Sequence, residues 1–592
     1  MMTAQHGGPP AADGGSPTGK CSPAPRPSVS NRAIEDPTPK PRARPWWQTG
    51  VIYQIYPRSF FDTTGNGIGD LDGIRRKLDY CADVLGVDAL WLSPFYPSPQ
   101  KDFGYDVADY TAVHADYGTL ADFDRLLAEA HERGLKVILD FVPNHTSNQH
   151  DWFKESRSSK ASHKRDWYVW KDPTRDPDGE LQPPNNWRSN FGGSAWEWDQ
   201  ETGQYYLHLY FESQPDLNWR HPEVQEAMLD QARFWLERGA DGFRIDVAHA
   251  IMKDPHFRDN PPNPAPDAAY HKDRGAYDEQ LHLYDKGHPD AHGVYRDFRR
   301  MLDAYSGESD RIALGEIHIY DLGEWASYYG QKRQDGRRDE MHLPINFQLL
   351  KASWTAADVR AVVDALEAKL PAGAWPNYVL GNHDEPRLRT RLGGEPQARQ
   401  AAVLLLTLRG TPLLYYGDEL GLTEVEIPPE EQNDPLGQRI PSLGRDGCRT
   451  PMPWRAEGDA AGFSEADAED LWLPIGEENR KRSVETQRSG NGSILALYCR
   501  LLDLRRQTPA LHAGRYRPLE RGVPEGCFAY VRKHGGERVA VAINFTSEAL
   551  TTPLPCSGAV LLSSRLDREG ETSGRFLQLR PREAAVARLD ES

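Results

Sequence analysis

Residues 222–247, PEVQEAMLDQARFWLERGADGFRIDV, contain one full repeat of the pattern that sets the fold. Pro222 opens an apolar periodicity of helical spacing that runs to Arg238. Gly239 stands just past its end, so the segment starts on proline and stops on glycine as a helix should. Gly242–Val247 then reads as a short strand. Outward in both directions the same alternation recurs. Strand-like runs lie at Val51–Tyr56, Ala89–Ser93, Val137–Val142, Ile312–Glu316, Leu343–Phe347, Tyr378–Asn382 and Leu413–Tyr416. Amphipathic segments lie between many of them, as at Leu120–Arg133, where Leu120, Phe123, Leu127 and Ala130 recur at helical spacing. Eight alternations predict an α/β architecture, a parallel (β/α)8 TIM barrel.

The 592 residues exceed what one hydrophobic core covers, so further units are expected. Residues 1–45 are dense in Pro, Gly, Ser and Ala and cannot offset their ordering entropy, which predicts a disordered N-terminal segment. The barrel takes 46–145 and 213–513. Residues 146–212, polar, aromatic and rich in Asn, Gly and Pro, interrupt it after the third strand as an inserted subdomain. From 514 to 592 the pattern turns to strands alone, a C-terminal all-β domain read as a β-sandwich.

A net charge of −18 argues against nucleic acid and anionic membranes as partners. Six Cys without CxxC spacing point to free thiols in a reducing, cytoplasmic setting. No apolar run reaches membrane-spanning length, and the N-terminus lacks a secretory pattern. The expected partner is a small, neutral molecule, with the chain a monomer or homodimer.

Catalytic groups of such a barrel come from the C-terminal ends of its strands. Those ends supply Asp140, Asn144 and His145 after the third strand, Arg244 and Asp246 on the fourth, Glu316 on the fifth, and His383 and Asp384 on the seventh. A lone strand-end Asp is ordinarily a helix cap, but this many converging on one face point to a site. Cleaving an acetal needs a proton donor for the leaving oxygen and a carboxylate for the oxocarbenium-like carbon, about 5–5.5 Å apart in retaining enzymes. Asp246 and Glu316, on consecutive strands, suit that pair. Arg244 shares the face of Asp246 and favours its ionised form.

Gly242-Phe-Arg-Ile-Asp246, Asp140-Phe-Val-Pro-Asn144-His145, Gly315-Glu316 and Asn382-His383-Asp384 together resemble the conserved regions of the α-amylase family of glycoside hydrolases. The likeness is greatest to its oligo-1,6-glucosidase and α-glucosidase branch, with Gln214-Pro-Asp-Leu-Asn218 and Gly410–Glu419 in support. The resemblance implies that Asp246 is the nucleophile, Glu316 the acid/base and Asp384 a third acid gripping ring hydroxyls. It implies that His145 and His383 bind the terminal glucose, that Tyr105 stacks on it, and that Asp106 and Arg387 close the pocket floor. The implied activity is exo-hydrolysis of short α-glucosides, such as maltose, isomalto-oligosaccharides or sucrose. Glucosyl transfer or isomerisation by the same acids is the alternative, and an inactive transporter-associated relative is disfavoured by the intact acids. Val247, after the nucleophile, resembles the residue of members that accept α-1,6 bonds, although ordinary barrel packing explains a valine equally well.

No cofactor is required for this chemistry. Asp62, Thr64, Asn66, the Ile68 carbonyl and Asp70 do follow the spacing of a Ca²⁺ loop, and a structural ion there is one reading. The other is a Gly-rich turn closed by its own side chains.

Overall fold

A computed structural model describes residues 44–265 and 274–590. The N-terminal segment read as disordered lies, up to residue 43, outside the described residues. Eight parallel strands form one sheet: β1 (Ile52–Ile55), β2 (Ala89–Leu92), β3 (Lys136–Phe141), β4 (Gly242–Ile245), β5 (Ile312–Glu316), β6 (Leu343–Ile345), β7 (Asn377–Val379) and β8 (Thr411–Tyr415). Their order, β6-β5-β4-β3-β2-β1-β8-β7, is that of a barrel. At the seam, the Asn346 N–H after β6 donates to Asn377 Oδ1 of β7 at 3.2 Å.

Strand alternation divides the apolar side chains into two sets. Ile52, Trp91, Ile138, Leu314, Ile345 and Leu413 share one buried cluster inside the barrel. Their neighbours Tyr53, Leu90, Leu139, Phe243, Ala313 and Leu414 belong to a larger cluster beneath the surrounding helices. The inward parity of β3, β4 and β5 carries on past the apolar layer to Asp140, Arg244 and Glu316. These three strands therefore deliver their polar groups at the upper rim. Helix α1 (Leu120–Glu132) opens on a Thr119/Asp122 capping box, and α2 (Pro222–Arg238) ends on Gly239 at φ 106°, as the sequence implies.

Between β3 and β4 the insert folds a helix, Asp151–Arg157, a three-stranded antiparallel sheet (Trp170–Lys171, Trp196–Asp199, Gln204–Leu207) and a small hairpin. Trp187, Trp196 and Leu207 pack against Val247 and Ala250, so the insert lies over the end of β4. The C-terminal part is a six-stranded sheet with a separate two-stranded pair, Leu550–Pro553 and Phe576–Leu579. One face buries Ala529, Ala540 and Leu577; the other puts Phe528, Tyr530 and Val541 into the barrel's cluster. The five described cysteines form no disulfide with one another, and Cys81, Cys448 and Cys527 are buried. Among the described residues no helix is long and apolar enough to cross a membrane.

Candidate active site

The centre of the rim is a single guanidinium. Arg244 NH1 donates to Asp140 Oδ1 and Asp246 Oδ1, both at 2.8 Å, and NH2 lies 2.8 Å from Glu316 Oε2. All four side chains are buried, Arg244 to 1% exposure. One fork thus reaches carboxylates at the ends of three adjacent strands, which an ammonium could not do. Val247 turns the chain out of β4 at φ 36°, unusual for a β-branched residue. In that conformation its N–H donates to Glu316 Oε2 at 2.8 Å.

Three buried carboxylates on one cation are in charge excess, so the cluster retains a proton. Burial pushes Asp246 well above the carboxylate range; Arg244 opposes this, and Glu316, Asp140 and Asp384 add to it. Asp140 rises to about 6, again chiefly through burial. Glu316 is held below its range, because Arg244 and His318 outweigh the effect of burial. The Asp246/Glu316 pair therefore titrates together, with one proton held between the two carboxylates.

Asp384 sits opposite. Arg449 NH2 lies 3.0 Å from its Oδ1, Arg445 NH1 3.4 Å from the same atom, and His383 Nε2 3.3 Å from Oδ2. These neighbours outweigh burial and hold it low and ionised. Gln54 donates to His383 Nδ1 at 2.8 Å, leaving the ring's N–H at Nε2, toward Asp384. Burial holds His383 at about 3 and His145 at about 4, so both rings are neutral at pH 7. Tyr105 lies parallel to His383, ring centroids 5.3 Å apart, and its hydroxyl donates to Asp140 Oδ2 at 3.0 Å. His145 is aligned by Asn144, whose Oδ1 accepts from Lys253 Nζ at 2.8 Å.

Most of these groups line one cavity, together with Phe191 and Tyr210 of the insert and Leu436 and Leu443 of the loop beyond β8. Tyr105, His145, Asp246, Glu316, His383 and Asp384 all face it, with Arg244 directly beneath. Two expected pocket residues do not join them. Asp106 is buried outside the cavity, accepting from Ser98 Oγ, Lys101 N and Asp102 N, so it closes a turn. Arg387 is turned to the Tyr416 carbonyl, and its backbone N–H donates to Glu424. The pair that does face the cavity is Asp102 and Arg445, 2.7 Å apart, with Asp434 bracing the same guanidinium at 2.8 Å. The sequence held a partial signal: Asp102 precedes Tyr105 by three residues. Nothing local ties it to an arginine 343 residues away.

In the loop after β1, Asp62 Oδ1 accepts from Thr64 N and Gly65 N, and Oδ2 accepts from Gly67 N and Ser464 Oγ. Asn66 Oδ1 accepts from Ile68 N. Asp70 accepts from Thr63 and caps Leu71–Arg76 through Gly73 N. These oxygens close the loop on itself and fit a turn better than a cation cage. Among the described residues no group of three His, Cys, Asp or Glu that could hold a metal ion is gathered.

The α-amylase catalytic-domain model matches residues 54–514. A probable α-glucosidase of Rhizobium meliloti (strain 1021) is 43% identical over 86% of this chain and 91% of its own length. An oligo-1,6-glucosidase of Parageobacillus thermoglucosidasius is 34% identical over 92% and 99%. Among solved structures, the α-glucosyl transfer enzyme XgtA superposes with a TM-score of 0.84 at 41% identity, covering 93% of this chain and all of that one.

Proposed function

The chain belongs to the α-amylase family of glycoside hydrolases, and from that premise we propose that it is a retaining, exo-acting α-glucosidase. The observation that carries the reading is the Arg244 fork, which holds Asp246 and Glu316 on one cation at equal 2.8 Å distances. Asp246 attacks the anomeric carbon while Glu316 protonates the departing oxygen. A glucosyl ester on Asp246 forms, and water activated by Glu316 cleaves it with overall retention. Positive charge growing at the anomeric carbon favours ionised Asp246, and a glycosidic oxygen beside Glu316 favours its protonated form. Bound sugar thereby moves the shared proton to where the reaction needs it. Asp384 and His383 grip ring hydroxyls, and Tyr105 supplies the stacking face. Asp102 and Arg445 form the closed end, which limits attack to a terminal glucose.

Transfer to a sugar acceptor is the second reading. Phe191, Tyr210, Leu436 and Leu443 give the cavity mouth an apolar lining, which favours a sugar face over water, and the likeness to an α-glucosyl transfer enzyme agrees with it. The test is incubation with maltose, isomaltose, sucrose and trehalose separately, with the first-formed products followed by NMR. The exo-glucosidase reading expects α-glucose released first from at least one of them. β-Glucose first would refute retention, and products dominated by new disaccharides would replace hydrolysis with transfer.

A further inference from the structure

The two oxygens of Glu316 keep different company. Oε2 accepts the Val247 N–H and faces Arg244, each at 2.8 Å, which leaves Oε1 for the substrate. Beside Oε1, 3.0 Å away, is His318 Nε2. His318 follows Glu316 by two residues and so keeps its face, with buried Ile317 between them. Its ring stacks on Phe347, just past β6, with centroids 4.5 Å and planes 17° apart. Its backbone N–H points to His249 Nδ1 at 3.5 Å. Its own Nδ1 is buried and has no hydrogen-bond partner among the described residues. A neutral imidazole carries one N–H, and at Nδ1 that proton would have nothing to donate to. It therefore belongs on Nε2, directed at Glu316 Oε1.

Resting on the assignment of Glu316 as acid/base, we infer that His318 is a positioning residue for proton transfer, whose Nε2–H strengthens its bond to Oε1 as Glu316 ionises. When Glu316 gives its Oε1 proton to the departing oxygen, the C1–O electron pair leaves with that oxygen and negative charge gathers on Oε1. The N–H stays on His318 throughout. A hydrogen bond tighter after proton loss than before it lowers the barrier to that loss. The titratable and charged groups facing the ring are Glu316 and His249, ring centroids of the two histidines 5.8 Å apart, with Lys351 and Arg274 at longer range. Burial, helped by those two cations, outweighs Glu316 and holds His318 below the usual histidine range, hence neutral in the working range.

The test compares His318→Phe, which keeps a stacking ring without the N–H, with His318→Gln, which restores a donor. kcat/KM is measured against pH on phenyl α-glucoside, a poor leaving group, and p-nitrophenyl α-glucoside, a good one. Loss of the donor raises the Glu316 pKa and tightens the pair's hold on its shared proton, so in His318→Phe the alkaline limb, where that proton is lost, should move up by about one pH unit. Turnover of phenyl α-glucoside should fall about tenfold, that of the nitrophenyl compound less than about threefold, and His318→Gln should recover most of both. An unmoved alkaline limb, or equal losses on both substrates without recovery in His318→Gln, overturns the inference. Glu316→Gln separates the two claims. If it keeps the alkaline limb and phenyl α-glucoside turnover, the acid/base assignment itself fails; if it loses them while His318→Phe leaves the limb in place, only the role of His318 fails.

Discussion

Asp102 and Asp106 lie four residues apart, are both buried, and do different work. Asp102 reaches Arg445 at the cavity end, whereas Asp106 closes the Ser98–Asp102 turn. Asp102→Asn should therefore lower kcat/KM by about 100-fold or more, by loosening the guanidinium from the terminal sugar, with little change in Tm. Asp106→Asn should do the reverse, lowering Tm and sparing kcat/KM in the folded fraction; equal effects on activity would contradict the placement. This is also where the sequence misleads. A Tyr-Asp pair was legible, but which nearby acid faces the sugar depends on a turn whose N–H groups claim Asp106. That Asp246 and Glu316 would point up from the barrel was legible because side chains alternate along a strand; Asp384, on the loop beyond β7, was legible only through the Asn382-His383-Asp384 motif. The pH dependence follows from the same crowding. Burial and neighbouring carboxylates raise Asp246, so its ionised, nucleophilic form is lost at a higher pH than for a free carboxylate. The acidic limb of kcat/KM should lie above about pH 4; a limb at or below that value would mean that the cluster does not hold its extra proton.

At the scale of elements, the spacing between β4 and β5 sets the distance between the proposed nucleophile and acid/base. Gly242 opens β4 at φ 154°, and a Cβ there would come 2.3 Å from the Ile312 carbonyl oxygen of β5. Gly242→Ala should cost about 2–3 kcal/mol in stability and reduce kcat together with Tm, by thermal melt and initial rates. An unchanged melt would show that the two strands can separate without loss. The positions of the strands and the two ends of α2 were legible because apolar runs and a Pro/Gly frame encode them locally, although several strands, such as β7, end up to three residues earlier than the apolar run suggests. The 62–70 loop was not, since one spacing of oxygens serves a Ca²⁺ cage and a self-closed turn alike. Its oxygens already accept from Thr63, Thr64, Gly65, Gly67, Ile68, Gly73 and Ser464. We propose that no ion is needed there: a chelator should leave both Tm and activity unchanged, and a fall in Tm restored by added Ca²⁺ would establish the cage.

At the scale of the molecule, three parts meet on one barrel. The insert covers the end of β4, the loop beyond β8 brings Arg445 across the cavity, and the C-terminal sheet docks on Glu395–Thr407. That last contact uses buried polar bonds: Arg532 donates to the Thr407 carbonyl, Gln400 to that of Asn544, and the Thr407 and Tyr530 hydroxyls pair. The insert and the C-terminal sheet, with their order, were legible in the changes of pattern along the chain, whereas the loop beyond β8 was read as part of the barrel. Their meeting points were not legible, because each joins residues far apart in the sequence that carry no mark of one another, as Asp102 and Arg445 do across 343 positions. On the proposed reading, the assembly forms a pocket that sets Asp246 against the anomeric carbon of a bound sugar. The most direct test is to incubate the enzyme with 5-fluoro-α-glucosyl fluoride, digest it, and locate the adduct by peptide mass spectrometry. A single glucosyl ester on Asp246 is expected; a stable adduct on another carboxylate, or turnover with none formed, would rule Asp246 out as the nucleophile.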